Sequence, residues 1–285
     1  RPFYKPGLNA VQVVEHLYGS SYPDVVIVHS TMSKHPESQD RRLLERLEDL
    51  RSRCTIVWRT FDPWDVEFYK AQYERYQPQI WLTWYPEYAG LFQSMFDKAK
   101  TRVYLFPLAV GRRFLSKWDD RPYDLALVGR CTNDGDSLSE SDFNGLKVLR
   151  TRRPRRRTDA FAQLIEDLNR CRVSWNSPLR GKFATLRFVE APACGTISLT
   201  PNHFRDLNAY YFPKDAYLTC NGNLESAIEM IRSMRHDREE YFRLQEKAYR
   251  IVMNNHQMRN RVMYLMDILN GKVDADPRDY YGIAI

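Results

Sequence analysis

The feature that most limits the fold is a series of short apolar runs alternating with segments whose apolar residues recur at helical spacing. Asp24-Val-Val-Ile-Val-His-Ser30 is the first run, uninterrupted by polar residues until its end. That pattern suits a strand buried on both faces, as in a parallel sheet. Thr55–Trp58, Gln79–Thr83 and Arg102–Phe106 read as further strands. Between and before them lie helical patterns at Val11–Tyr18, Asp40–Arg53 (Leu43, Leu44, Leu47, Leu50 on one face), Glu67–Tyr76 and Glu87–Lys98. After a polar stretch, Leu115–Pro122, the alternation restarts. Strands are expected at Tyr123–Gly129, Leu146–Leu149, Arg172–Trp175 and Thr196–Thr200. Helices are expected at Asp159–Asn169 (capped by Thr158), Phe183–Pro192, Leu224–Arg235 (capped by Asn223), Arg238–Asn254 and His256–Leu269.

Strand and helix at this spacing predict an α/β protein with parallel sheets. Two such blocks joined by a polar link predict two Rossmann-like domains facing a cleft: residues 1–118, residues 119–262, and a terminal helix and tail over 263–285. Ligands of such sheets bind at the carboxyl ends of the strands, which marks His29, Asp62, Tyr85, Gly129, Asn176 and Thr200 for attention.

Several function classes drop out. No run of 18 apolar residues occurs, so no transmembrane helix is expected. The start, Arg1-Pro-Phe-Tyr-Lys-Pro-Gly7, has no apolar segment of the signal-peptide kind. Lacking a Met and an opening strand, it reads as the interior of a longer chain. The five cysteines are widely spaced and form no CxxC or Cys/His pattern, so reduced thiols and a cytoplasmic setting are expected, without structural zinc. Net charge is +7, but six arginines lie within Arg150-Thr-Arg-Arg-Pro-Arg-Arg-Arg157, leaving +1 for the rest. That segment is either a solvated loop or an anion site.

The chemistry concentrates in the second half. The strand from Tyr123 ends in Gly129-Arg130; a glycine there lets backbone approach a phosphate, and arginine can pair with its charge. Downstream come Asn176-Ser-Pro and Arg187-Phe-Val-Glu190-Ala-Pro-Ala-Cys-Gly195. Arg187 and Glu190 share a helix face. They form either a plain surface ion pair or two halves of a donor site, with Glu190 accepting hydrogen bonds from a ribose diol and Arg187 binding a diphosphate. Gly195 permits a tight turn into the next strand. His29 is either a buried, satisfied histidine or a group that orients or deprotonates an acceptor hydroxyl. Asp62, in Phe61-Asp-Pro-Trp-Asp65, is either a turn cap or a second such group. Trp58, Trp64, Trp81, Trp84, Tyr85 and Tyr88 read mainly as core, with a few free to stack on a sugar or base.

The order strand-Gly129-Arg130, Asn176, Arg187-x-x-Glu190, Gly195, strand to Thr200, then His256-x-x-x-x-Arg261 resembles the group 1 glycosyltransferases, and more narrowly their CgeB-like (spore maturation) branch. Pro23-Asp24 before the first strand, Trp58-x-x-x-Asp62 and Leu105-Phe-Pro107 resemble it more loosely. The resemblance implies the GT-B fold and a nucleotide-diphosphate sugar as donor substrate, foremost a UDP-sugar. It implies no cofactor and no catalytic metal, with the donor in the second domain and the acceptor in the first. It assigns Glu190 to the ribose, Arg187 to the diphosphate and Gly129 to the first strand of the donor domain. Lys182 stands where many relatives carry a second glutamate, so it is expected on phosphate rather than on sugar hydroxyls. The acceptor is left open between a glycan, a protein, a small molecule and DNA. A phage-type DNA-base glycosyltransferase using the basic segment, and a non-catalytic nucleic-acid-binding module, are the competing readings.

Overall fold

The structure, a computed structural model, describes residues 8–30, 44–60, 65–118, 120–128, 143–151, 157–176, 185–202 and 211–273. The chain divides into two compact units, one running to Phe106 and the other from Pro107 through Val273.

The first unit holds helix α1 (Ala10–Tyr18), strand β1 (Val25–Ser30), a 3-10 turn (Leu47–Leu50), β2 (Thr55–Thr60), α2 (Val66–Tyr76), β3 (Ile80–Thr83), α3 (Pro86–Met95) and β4 (Arg102–Leu105). Its sheet is wholly parallel in the order β1-β2-β3-β4. Local chemistry explains the boundaries. Asn9 and Gln12 form a reciprocal capping box at the start of α1. The Asp65 side chain caps α2 by accepting from the Phe68 N–H. Ile56, Trp58, Trp81 and Val103 pack against Val11, Val14, Tyr69, Phe92 and Phe96. The Trp58 ring stacks on Trp81 and Tyr76, both at 5.6 Å between centroids.

Two expectations change here. The 40–53 helix is not continuous: Arg46 takes a left-handed backbone (φ 61°), and only the 3-10 turn follows it. Strand β1 is not buried on both faces. It pairs only with β2 among the described strands, and Ile27 is 52% exposed.

The second unit holds β5 (Tyr123–Val128), β6 (Val148–Thr151), α4 (Arg157–Asn169), β7 (Cys171–Trp175), α5 (Arg187–Ala193), β8 (Ile197–Pro201), β9 (Leu218–Cys220), α6 (Leu224–Met234), α7 (Arg238–Asn255) and α8 (Met258–Leu269). Its sheet is parallel in the order β6-β5-β7-β8-β9. Leu125, Leu127, Val173, Trp175, Ile197 and Leu199 form one row of side chains, packed with Leu224, Ile228 and Ile231 of α6 and Leu244 of α7. Asn223 caps α6 as expected, accepting from the Ser226 N–H at 2.9 Å. Helix α4 opens at Arg157, ahead of the cap assigned to Thr158. His256 is not inside the last helix; it caps the end of α7, and α8 begins at Met258. Strand β9, three residues long, carries too little periodicity for the sequence to announce it.

The polar stretch 115–122 is fastened to this second unit. The Lys117 N–H donates to Asn169 at 2.6 Å, and the Asn169 side chain donates to the Leu115 carbonyl at 3.0 Å. Arg121, 8% exposed, donates to the carbonyls of Leu168, Cys171 and Cys194 and to the Thr196 hydroxyl. Its charge meets carbonyls at the ends of α4 and α5, where a cation is favoured.

Candidate functional site

In the second sheet β5 lies between β6 and β7, so the chain leaves β5 to one side and returns to the other. That reversal is a topological switch point, and it separates the loops that follow β5 and β7 at their carboxyl ends. β5 ends at Val128, directly before Gly129-Arg130; β7 ends at Trp175, directly before Asn176. The register Leu125 to Val173 and Ala126 to Ser174 brings the two ends level.

Asn176 extends the ladder, its N–H donating to the Leu199 carbonyl at 2.9 Å. Its side-chain amide donates to the Ser174 carbonyl at 3.2 Å, which orients the group. The residue is 3% exposed, and Oδ1 has no partner among the described residues. A buried acceptor left without a donor costs about 1–3 kcal/mol, so such atoms are rare unless a ligand or water serves them.

Helix α5 stands over the same sheet. It leads through Gly195 into the amino end of β8, so it runs antiparallel to that strand. The Ser198 hydroxyl donates to the Phe188 carbonyl at 3.2 Å, fixing the first turn of α5 against β8. Phe188 is held edge-on by Tyr211, Phe212 and Tyr217. This places Arg187 toward the carboxyl end of the sheet. Arg187 donates through Nη1 to Glu190, forming an ion pair with side chains 18% and 5% exposed. The pair is largely buried, unlike the surface pair that spacing alone also allowed. Arg187 Nε, Thr185 Oγ1 and Ser174 Oγ are buried and without partners among the described residues. Ser174 and Thr185 escaped sequence reasoning because single hydroxyls beside a strand or helix carry no spacing signal.

The other candidates fall differently. Gly195 sits at the amino end of β8, the opposite end from Asn176. Its backbone is left-handed (φ 69°), and a Cβ would lie 2.8 Å from Arg121 Nη2 and closer still to the Ser116 hydroxyl. Gln245 donates to its carbonyl at 2.6 Å. Its surroundings are thus a packed turn rather than an open site. His256 and Arg261 also build structure. The His256 Nε2–H donates to the Tyr211 carbonyl at 2.6 Å, while Nδ1 accepts from Arg261 at 2.7 Å. Arg261, 1% exposed, further donates to the carbonyls of Pro107, Leu108 and Asn255. Complete burial, and then the Arg261 charge, push the His256 pKa down to about 3.

In the first unit His29, the residue before the last of β1, lies in register with Arg59 of β2 and is exposed rather than a buried histidine. Partial burial, and then the Arg59 charge, push its pKa down to about 4. The Arg59 guanidinium lies over the Trp84 ring at 5.1 Å. Trp58, Trp81, Trp84 and Tyr85 are buried, in keeping with their reading as core. Asp62, Trp64, Gly129, Arg130, Lys182 and most of the 150–157 arginine segment lie outside the described residues. Cys54, Cys171, Cys194 and Cys220 are free and buried, with Cys171 and Cys194 pushed up to about 12, chiefly by burial. Among the described residues no cluster of three or more His, Cys, Asp or Glu has a metal-binding arrangement, and no helix is long and apolar enough to cross a membrane.

Comparison with known proteins gives this geometry its context. HepE from Anabaena, solved with UDP and glucose, superposes with a TM-score of 0.62 at 10% identity, covering 92% of this chain and 81% of its own. Sucrose-phosphate synthase from Thermosynechococcus elongatus superposes at 0.60 with 11% identity, covering 92% and 77%. A DNA-modifying β-glucosyltransferase superposes at 0.53 with 14% identity, covering 88% and 82%. No curated protein matches the chain by sequence. These likenesses place the fold among the GT-B glycosyltransferases. Residues 108–267, more than half of the sequence, match the profile of the glycosyl transferase-like family, and the chain accordingly belongs to that family, as a glycosyltransferase of GT-B fold.

Proposed function

We propose that this glycosyltransferase moves a sugar from a nucleotide-diphosphate sugar, a UDP-sugar, to a glycan, protein or small-molecule acceptor. The donor sits in residues 119–262, at the carboxyl ends of β5 and β7, and the acceptor side lies in residues 1–118. The observation that carries this reading is the buried Arg187–Glu190 pair on α5, on the same sheet as the unpartnered Asn176 Oδ1, inside the family-matched segment. Glu190 accepts from the ribose diol, and Asn176 Oδ1 accepts a further donor of the nucleotide. The UDP and glucose bound in the HepE structure support uridine as the base.

In the transfer, the bond between the anomeric carbon and the diphosphate oxygen breaks and a bond to the acceptor oxygen forms. Negative charge grows on the departing diphosphate, and preorganised cations at that position lower the barrier. Arg187 supplies one, with Lys182 and Arg130 as further candidates, so that the site works without a bound metal. His29, neutral at physiological pH with its pKa near 4, accepts a hydrogen bond from the acceptor hydroxyl and orients it. Asp62 is the candidate for taking the proton. The free, buried thiols support a reducing, cytoplasmic setting, and the CgeB-like motifs support that branch of the family.

A thermal-shift series of nucleoside diphosphates tests the core of this reading, because a ligand of the native state raises its melting temperature by mass action. UDP is expected to raise it most. A flat response to every nucleoside diphosphate and nucleotide sugar sinks the proposal. Chelation with EDTA is expected to leave transfer unchanged, and loss of activity rescued by Mg²⁺ would refute metal independence.

A second acceptor reading has its own support: the basic Arg150–Arg157 segment and the likeness to a DNA-modifying glucosyltransferase. If DNA is the acceptor, sugar transfer to duplex DNA falls steeply with salt, and the slope shrinks when Arg152 and Arg153 become alanine.

A further inference from the structure

A concavity lies in the Pro107–Val273 unit, and neither Asn176 nor Arg187 lines it. It opens at the amino end of the sheet, where Asp124 near the start of β5 and Arg172 near the start of β7 meet α6 and α7. Its volume is about 180 Å³. That is well below the roughly 300–1,000 Å³ of pockets that enclose drug-sized ligands, so its occupant is compact.

The wall chemistry is selective. Four arginines line it, Arg121, Arg172, Arg235 and Arg238, against two carboxylates, Asp120 and Asp124. Arg121 is committed to the carbonyls and hydroxyl already described and acts as floor. Arg172, Arg235 and Arg238 make no ion pair among the described residues. Arg172 lies over the Tyr241 ring at 6.0 Å, and Arg235 reaches only the Gly145 carbonyl at 3.5 Å. Of the acids, Asp124 is buried and its carboxylate accepts from the Lys147 N–H at 2.9 Å, while Asp120 stands exposed. The rim carries two large exposed rings, Trp118 at 55% and Phe242 at 53%. The Trp118 ring is propped edge-on by Tyr249 at 5.0 Å, which holds its position.

Guanidinium-bearing side chains that line one concavity and have no carboxylate partner among the described residues match phosphate, whose oxygens accept their paired N–H donors. Exposed rings beside them match a flat or apolar group on the same molecule. We propose that this pocket binds a small phosphate monoester carrying a flat or apolar group, at a site separate from that of the nucleotide-sugar donor. Arg172 and Arg238 hold the phosphate, and Trp118 and Phe242 cover the apolar part.

Titration calorimetry of the whole chain with phenyl phosphate tests this, with inorganic phosphate as the stripped probe. Phenyl phosphate is expected to bind one site with sub-millimolar affinity, and inorganic phosphate about tenfold more weakly, the ring contacts accounting for the difference. Replacing Arg172 and Arg238 together by alanine weakens both at least about tenfold, as loss of charge-assisted hydrogen bonds requires. Trp118→Ala, on an exposed side chain, weakens phenyl phosphate alone. Saturating UDP leaves both isotherms unchanged. The proposal is overturned by absence of saturable binding to the folded wild type, by equal binding to the double variant, or by displacement of phenyl phosphate by UDP.

Discussion

Asn176 and Glu190 are adjacent links in one argument, yet their substitutions separate two contributions. Asn176→Ala removes an Oδ1 without a partner among the described residues and one hydrogen bond, from Nδ2 to the Ser174 carbonyl, so the folded state loses little. Stability is expected to stay within about 1 kcal/mol of wild type, while UDP affinity, read by calorimetry, falls about tenfold, as for one lost hydrogen bond. Glu190→Gln removes the charge opposite the buried Arg187. Leaving one buried charge unpaired costs about 3–5 kcal/mol at the upper end, so chemical denaturation reports a clear loss, and UDP binding falls with it. A Glu190→Gln protein that is destabilised but binds UDP normally would reduce the pair to a structural ion pair. His29 adds a pH signature. Its pKa lies near 4 rather than at the usual 6.5. Transfer should therefore show no inflection near pH 6.5 attributable to this imidazole and should fall only as pH approaches about 4. An inflection at 6.5 that vanishes in His29→Gln would show a solvated, ordinary histidine.

Among the elements, α5 and β8 depend on the turn between them. Seven residues of helix and five of strand are joined at Gly195, whose left-handed backbone and close neighbours admit no side chain. Pro192 lies within the helix, which ends one residue later, so the turn follows almost at once. Gly195→Ala forces both a strained φ and a shift of Arg121 and Ser116. A destabilisation of about 2–4 kcal/mol is expected by denaturant titration, with donor binding weakened because α5 carries Arg187 and Glu190. Gly195 was legible in the sequence as a tight turn, but its place at the end of the sheet opposite Asn176 was not. That place follows from the direction of β8, which strand pairing decides.

For the whole molecule, acid response is the property that two histidines with lowered pKa values set, one buried (His256) and one exposed (His29). His256 has a folded pKa near 3 and an unfolded one near 6.5. Between these values the unfolded chain binds the proton and the native chain does not. Stability is therefore complete above about pH 6.5 and declines as pH falls toward 3. His256 alone contributes on the order of 4 kcal/mol to that decline, and His29 adds in the same direction between 6.5 and about 4. Urea midpoints measured across pH 7 to 4 check this. His256→Gln should be less stable at pH 7 and should show a shallower decline. A midpoint independent of pH over that range would mean that His256 is protonated in the fold, contrary to its bond from Arg261 to Nδ1.

The parallel α/β class and most of the described elements were readable from sequence alone, because burial on a sheet and helical amphipathicity are written in local periodicity. Arg187 and Glu190 three residues apart already implied a shared face. Local pattern does not record which strands become neighbours. Pairing placed β5 between β6 and β7, made β1 an edge strand, and turned Gly195 and the His256–Arg261 pair toward structural roles. The same pairing buried Arg121 in what reads as a polar link, because a buried arginine needs acceptors for its N–H groups and here distant carbonyls and the Thr196 hydroxyl supply them. Asn176 was legible as a residue at a strand end; only the packed sheet left its Oδ1 buried and without a partner among the described residues.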